Sequence, residues 1–444
     1  MPSNKRNNKQ AQPSRREFVK ISAGAVGALA LGAESSIVRA AHASGSQVIR
    51  IGLIGCGGRG SGAAINAMNA GKDVRLVAMA DLFEDKLQAS RQRLKKARPD
   101  QVEVDDDHAF FGFDAYKHVI ESVDVVLIAA TSHFHPQFLQ AAVRAGKHIF
   151  CEKPHALDVP GLKVAQAAVE EARRKKLCLV SGLCWRYDIA VRETMKRVQD
   201  GAIGEIVAIQ ENYLTVPYRV QKERKPEWSE LEYQFRNWYH FNWLSGDQTG
   251  QQLIHSLDKA SWALGDVPPV RAWGMGGAQV CLDPIYGDQF DHHGVVFEYA
   301  NGVRVFGFCR DIPGCYNITQ DVIFGTKGRA FMPSRCWIED SKGKITWRFK
   351  GSKPSMYDNE HKELFDAIRQ GRIINNGDYM ITSTMLGILA QMVCYTGKQL
   401  TWEQAMQSKL SFALPRYDWD VEPPVKPGPD GRYPKPLPGI TPFV

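Results

Sequence analysis

The chain has 444 residues, 44% of them apolar and 23% charged, which suits two domains with separate cores and excludes a disordered, collagen-like or small disulfide-stapled protein. The longest weakly apolar stretch, residues 21–33, is too short and too rich in Gly and Ala for a stable bilayer span, so no membrane-spanning segment is expected in the mature protein. The formal charge of +8 is concentrated at the start: residues 1–43 hold seven Lys/Arg against two Glu, leaving +3 for the rest without any basic stripe interleaved with aromatics, and a nucleic-acid partner is excluded.

In chain order, the first feature is Ser14-Arg15-Arg16-Glu17-Phe18-Val19-Lys20, followed by the Gly/Ala-rich run and Ala41-His42-Ala43. Paired arginines before a weakly apolar stretch and a small-residue site read as a twin-arginine export signal spanning 1–43, with cleavage after Ala43. Such a leader carries a folded chain across the bacterial inner membrane, so a periplasmic location is expected. Nine cysteines, an odd number without C-x-x-C spacing, show no disulfide framework. Cys56 and Cys151 read as small side chains filling tight turns.

From residue 47 short apolar runs alternate with longer amphipathic ones, the pattern of strand-helix-strand units in a parallel sheet. Strands are predicted over Val48–Ile54, Val74–Ala80, Val123–Ala130 and His148–Cys151, with helices over Gly62–Ala70, Glu84–Lys96 and Pro136–Ala145. A further unit over Gly161–Ser181 completes a doubly wound domain, bounded at 47–185. Between 186 and 414 the texture becomes α+β with a mainly antiparallel sheet: a helix, then alternating strands at Val295–Tyr299 and Val303–Cys309 joined by Asn301-Gly302, a strong hairpin signal. Residues 217–245 are unusually aromatic (Trp228, Tyr233, Phe235, Trp238, Tyr239, Phe241, Trp243) and read either as stacking platforms for a sugar or as the packing of an irregular loop. Helices near 359–397 are candidates to pack back on the first domain, and the Pro-rich tail, 415–444, is expected to extend over a neighbouring surface or subunit.

Gly55-Cys56-Gly57-Gly58-Arg59-Gly60 follows the first predicted strand and opens a helix, the context that makes a G-x-G-x-x-G loop a dinucleotide cradle. Asp81, at the end of the second strand, is placed to accept hydrogen bonds from the adenosine ribose and to repel a 2′-phosphate. NAD is therefore expected over NADP, with Gly55, Gly57, Gly58, Gly60 and Asp81 as contacts and Arg59 offering some charge to a phosphate. No metal site is expected, since neither His133 and His135 nor His292-His293 has a partner set of ligand spacing.

With that loop, Ala130-Thr131-Ser132-His133-Phe134-His135 and Glu152-Lys153-Pro154 in order, the chain resembles the Gfo/Idh/MocA family, named for glucose-fructose oxidoreductase and inositol dehydrogenase. The resemblance implies a Rossmann domain followed by an α/β domain whose open sheet builds the substrate face and oligomer contacts, hence a homo-oligomer. It implies that Glu152 and Pro154 shape a turn beside the nicotinamide, that Thr131, His133 and His135 approach the cofactor, and that the Lys153 ammonium contacts substrate hydroxyl and cofactor, where it stabilises a developing alkoxide.

The family's second signature is an acidic residue, His four positions later and Asp three beyond. Here the segment Gly250–Asp258 supplies Gln251, His255 and Asp258, which share one face of a helix. His255 is expected to be the general acid/base with a pKa near neutrality, and Asp258 to hold its ring or grip the substrate. Gln251 stands where relatives often have a carboxylate and cannot shuttle a proton; Asp247, one turn earlier, is a candidate stand-in. Trp185-Arg186-Tyr187 lies at the domain junction, and Arg186 and Tyr187 are expected to contact substrate. The activity implied is hydride transfer between a sugar or cyclitol hydroxyl and a tightly held nicotinamide. Export with bound cofactor suggests instead a redox-neutral glycosidase or lyase working by transient oxidation, and Gln251 a non-catalytic sugar-binding protein.

Overall fold

The structure, a computed structural model, describes residues 48–218 and 223–443, so the expected export signal lies outside the described residues. Six parallel strands, β1 (Ile49–Ile54), β2 (Val74–Asp81), β3 (Ala109–Phe111), β4 (Val125–Ile128), β5 (His148–Cys151) and β6 (Leu179–Ser181), lie in the order β3-β2-β1-β4-β5-β6. They are near-continuous apolar runs because helices cover both faces; every residue of β4 is 0% exposed. The covering helices are α1 (Gly58–Asn69), α2 (Glu84–Ala97), α3 (Ala115–Ser122), α4 (His135–Arg144) and α5 (Val159–Arg174). α5 is started by the Asp158 carboxylate, which accepts from Gly161 N–H at 2.6 Å, a cap worth about 1 kcal/mol. Strand order reverses between β1 and β4, and at such a switch point the loops leaving the two strands part to form a crevice.

The chain continues through α6 (Ile189–Gln199), β7 (Ile206–Leu214), α7 (Glu230–Arg236), α8 (Asn242–Ser245), a π-helical turn (Thr249–Leu253) and α9 (Ile254–Ala263). Strands β8 (Arg271–Gly277), β9 (His292–Glu298), β10 (Arg304–Arg310), β11 (Ile318–Gly325), β12 (Gly328–Pro333), β13 (Trp337–Asp340) and β14 (Ile345–Arg348) follow. The last elements are α10 (Met356–Arg369), α11 (Gly377–Thr396), β15 (Leu400–Thr401) and α12 (Trp402–Met406). The second sheet runs β14-β13-β12-β11-β7-β10-β9-β8-β15, antiparallel throughout except for β7 beside β10. The expected α/β class, a parallel doubly wound sheet followed by a mainly antiparallel one, is thus observed. The hairpin at Asn301-Gly302 joins β9 to β10, with Gly302 at φ +83°. Leu364 and Phe365 of α10 enter the core of the first sheet, and Asn376 Oδ1 accepts from Ser181 N–H at 3.0 Å, so this helical region does pack back on it.

Of the two readings of residues 217–245, the packing one describes most of the segment. Phe235, Phe241 and Trp243 are at most 1% exposed. Phe235 stacks on Phe134 of the first domain at 5.6 Å, and the Trp243 indole N–H finds Gln234 Oε1 at 2.7 Å, as a buried indole must. The Pro-rich tail lies over this chain's own surface: Trp419 packs 4.8 Å from Phe113, Lys435 Nζ donates to Gln289 O at 2.7 Å, and Gly439 N–H to Thr396 O at 2.8 Å.

Candidate active site

The loop leaving β1 is shaped by sterics at two glycines. Gly55 has φ +98°, and a Cβ there would lie 2.4 Å from Ala130 N; a Cβ at Gly60 would lie 1.8 Å from Gly55 O. Gly57 and Gly58 face open space within 4 Å. Gly57 caps α1 without a side-chain acceptor, so the first N–H groups of the helix are left for an anion. A cleft of about 360 Å³ is lined by this loop, Asp81 and Thr131 together with Tyr218, Phe235 and Trp238. The open helix start, the cleft and the carboxylate beside the loop fit a dinucleotide. Asp81 also braces the loop, since its carboxylate accepts Cys56 N–H at 2.7 Å and Phe83 N–H at 3.0 Å, and burial raises its pKa. Two further lone-pair sites remain on that carboxylate.

Arg59 lines the cleft, but its charge is engaged within the fold. Its Nε donates to Glu152 Oε1 at 2.5 Å, Glu360 lies 3.6 Å from Nη2, and the guanidinium sits 4.5 Å over the Tyr357 ring. The expected offer of charge to a phosphate is corrected accordingly: Arg59 ties the glycine loop to the Glu152-Lys153-Pro154 turn. The Lys153–Pro154 bond of that turn is cis. Lys153 Nζ donates to the main-chain O of Gln251 at 2.5 Å, and burial lowers its pKa.

Gln251 sits in the π turn instead of a regular helix, a correction to the continuous helix expected across Gly250–Asp258. Such single π turns are frequent at functional sites. Both N–H groups of the Gln251 amide are used, donating to Ser132 Oγ at 3.0 Å and Ser245 O at 2.6 Å, so the side chain anchors the turn that holds Lys153. His255, half-buried in α9, lies with its ring 6.5 Å from that of Tyr213, and its Nδ1 has no hydrogen-bond partner among the described residues. Burial, then the Lys153, Lys259 and Arg59 charges, push its pKa well below the usual histidine value, not near neutrality as expected; the imidazole is neutral.

Asp258 does not hold His255. It is 1% exposed and accepts Arg186 Nε at 2.9 Å and Ser383 Oγ at 2.8 Å, while Arg186 also binds Asp266 at 2.6 Å and stacks 3.9 Å over Tyr379. Arg186 and Asp258 are thus partners in a buried ion network, which leaves neither for substrate. Tyr187, 3% exposed, donates to Asn376 Oδ1 at 2.8 Å and is likewise part of the core. His133 is corrected too: its ring nitrogens meet Trp243 O at 3.1 Å and Tyr417 Oη at 2.8 Å, and burial takes its pKa down to about 4. His135 bridges Pro154 O at 2.7 Å and Ala130 O at 3.0 Å, fixing the two loops to each other from inside. Asp247 is 0% exposed and bonded to Tyr395 Oη at 2.5 Å and Phe290 N–H at 3.1 Å, so it cannot stand in for the missing carboxylate.

The structure therefore brings Lys153, Gln251 and His255 together and adds residues that the sequence reading missed. Ser132 and Ser245 position Gln251. Gln252 Nε2 donates to Tyr239 Oη at 3.1 Å, and Tyr239 stacks at 4.1 Å on Tyr218 of the cleft wall. Ser132 stood within the Ala130–His135 motif and Tyr239 within the aromatic segment, but nothing in the spacing of Ser245 or Gln252 marked them.

The oxidoreductase-family model with an NAD-binding Rossmann fold, Gfo/Idh/MocA, matches residues 49–183, and the model of its C-terminal alpha/beta domain matches 195–379. An inositol 2-dehydrogenase of Rhizobium meliloti is 29% identical over 286 residues, covering 64% of this chain and 74% of that one. A myo-inositol 2-dehydrogenase of Thermotoga maritima is 28% identical over 291 residues, 64% of this chain and 75% of that one. Among solved structures, an aldose-aldose oxidoreductase from Caulobacter crescentus shares the fold with a TM-score of 0.63 at 18% identity, covering 80% of this chain and 100% of that one. With both of its domains matched, the chain belongs to the Gfo/Idh/MocA family of NAD-binding oxidoreductases.

Proposed function

We propose that the protein is a dehydrogenase of polyhydroxy substrates, sugars or cyclitols, acting on a CH–OH group with an NAD that it retains between turnovers. The observation that carries this reading is the convergence on one site of a buried ammonium, Lys153, and a neutral imidazole, His255, with an unengaged Nδ1. NAD, when bound along the glycine loop, supplies the hydride acceptor. Lys153 faces the hydroxyl oxygen and stabilises the charge that develops as its proton leaves. His255 takes that proton at Nδ1. Gln251 holds the lysine through its carbonyl and has no acid–base role. The names of the inositol dehydrogenases, and of a levoglucosan dehydrogenase 29% identical over 169 residues, support the substrate class.

Retention is supported by the aromatic wall. Phe235 and Trp238, with Tyr218, line the same cleft as the glycine loop, and Trp419 of the tail packs 6.3 Å from Phe235. An enzyme exported to a compartment without free nucleotide needs such a hold, and Ser14–Lys20 supports twin-arginine export to the periplasm. Fractionation of cells carrying the wild-type leader, and one with Arg15→Lys and Arg16→Lys, tests that part; an unchanged distribution contradicts it. A homo-oligomer is supported by the helix-free side of the second sheet, where register aligns Trp273, Val296 and Phe306 in one row and Met275, Gly294 and Phe308 in the next. Met275 is 76% exposed there.

The test of the activity is a panel of sugars and cyclitols added to purified protein, read by the absorbance of reduced nicotinamide. Reduction of bound nucleotide by a member of the panel supports the reading; cleavage of a nitrophenyl glycoside without net reduction contradicts it.

A further inference from the structure

One helical turn beyond His255, and on the two strands beneath it, lies a set of charges that the proposed reaction does not use. Lys259 is 1% exposed; its Nζ donates to the His255 carbonyl O at 2.6 Å, lies 3.0 Å from Asp321 Oδ2 and sits 5.3 Å over the Trp185 ring. Asp321 on β11 accepts Ser256 Oγ at 2.8 Å and stands opposite Glu211 on β7. Glu211 is 0% exposed, and burial, then the Asp321 charge beside it, push its pKa well above the usual carboxylate range. β7 directs Glu211 and, two residues on, Tyr213 toward α9, where Lys259 and His255 are four residues apart on one face.

An apolar trio of the same volume would hold this layer at least as well, because desolvating an ion pair offsets much of its attraction. The ammonium has a more specific effect: it sits against the main chain of His255, just past the π turn. The charged groups facing the imidazole are Lys259 from its own helix, Lys153 from the segment after β5 and Arg59 from α1, while Tyr213 faces it from β7. Lys153 is assigned to the substrate and Arg59 is paired with Glu152, whereas Lys259 is fixed in place by Asp321.

We propose that Lys259, anchored by Asp321, is a positioning residue that fixes the His255 main chain and keeps its imidazole in the proton-accepting state. This rests on the reading of His255 as the proton acceptor. The test is Lys259→Met in the full chain with its bound nucleotide, read by NMR titration of isotope-labelled histidine, the His255 signal being assigned with His255→Gln. The His255 midpoint is expected to rise by about 0.5 to 1 pH unit, and the acid limb of kcat/KM to move up with it. A lower melting temperature with an unmoved midpoint and limb would show that Lys259 only packs, and overturns the proposal. If Lys259→Met does not fold, the double variant Lys259→Met with Asp321→Asn leaves no unpaired charge and is read in the same way, with a shift of the same sign and smaller size. Full turnover by His255→Gln would defeat the reading of His255 while leaving the titration able to decide on Lys259.

Discussion

Lys153 and His255 meet opposite demands within one small volume. The ammonium must stay charged although burial lowers its pKa, and the imidazole must stay neutral, which burial and the surrounding cations favour. Lys153→Ala is expected to lower kcat/KM by about a thousandfold while bound nucleotide stays at wild-type level, since the glycine loop is untouched. Turnover within tenfold of wild type would remove Lys153 from the reaction. Arg186 calls for a different experiment. Replacing it with Met leaves Asp258 buried without its partner, a loss of about 3–5 kcal/mol, so the melting temperature should fall sharply, whereas a true substrate contact would raise KM and leave the melting temperature alone. The motif residues were found in sequence because their spacing is local, but their partners were not. Offsets of four and three placed His255 and Asp258 on one helical face, yet only the fold shows that Arg186 had already claimed Asp258.

Among the elements, the π turn matters most, because it presents the Gln251 carbonyl to Lys153 while the Gln251 amide reaches Ser132 and Ser245. No periodicity in Gly250–Leu253 marks it, since a π turn inserts one residue into a helix without altering its composition. The parallel sheet was legible from its apolar runs, and the β9–β10 hairpin from Asn301-Gly302. The aromatic segment was ambiguous because aromatics serve packing and stacking equally well; Trp243, Phe241 and Phe235 are buried, Phe235 beneath the cleft lining, while the partly exposed Trp238 lines the cleft itself. Trp238→Ala is therefore expected to speed loss of nucleotide by about tenfold on dilution, measured by release into a nucleotide-free buffer, with smaller effects on the chemical step. Release at the wild-type rate would separate the aromatic wall from retention.

At the scale of the whole molecule, buried carboxyls give stability a definite pH dependence. Burial raises Asp288 to about 7 and Asp311 to about 8, so the folded protein keeps protons that the unfolded chain releases near pH 4. That contribution is complete below the unfolded value and is lost as pH rises through 7 and 8. Buried histidines act in the opposite direction only below about pH 6.5. Between pH ~6.5 and ~8 stability, and with it the melting temperature, should therefore fall, at up to about 1.4 kcal/mol per pH unit for each carboxyl still protonated in the fold, and Asp311→Asn should flatten the slope; an unchanged slope in that variant contradicts the assignment. Assembly is tested on the open sheet, where Met275→Asp with Phe308→Asp is expected to yield a monomer by light scattering with unchanged melting of the protomer. Activity as proposed requires a retained nucleotide to be reduced beside Lys153. The most direct measurement is a single-turnover experiment on protein purified without added cofactor, with the reduced-nicotinamide absorbance followed after a sugar or cyclitol is added. Bound NAD is expected, with a stoichiometric rise in the wild type and none in Lys153→Ala with its nucleotide still present. Protein that carries no nucleotide and takes none up, or a Lys153→Ala variant that reduces it normally, would contradict the proposed activity.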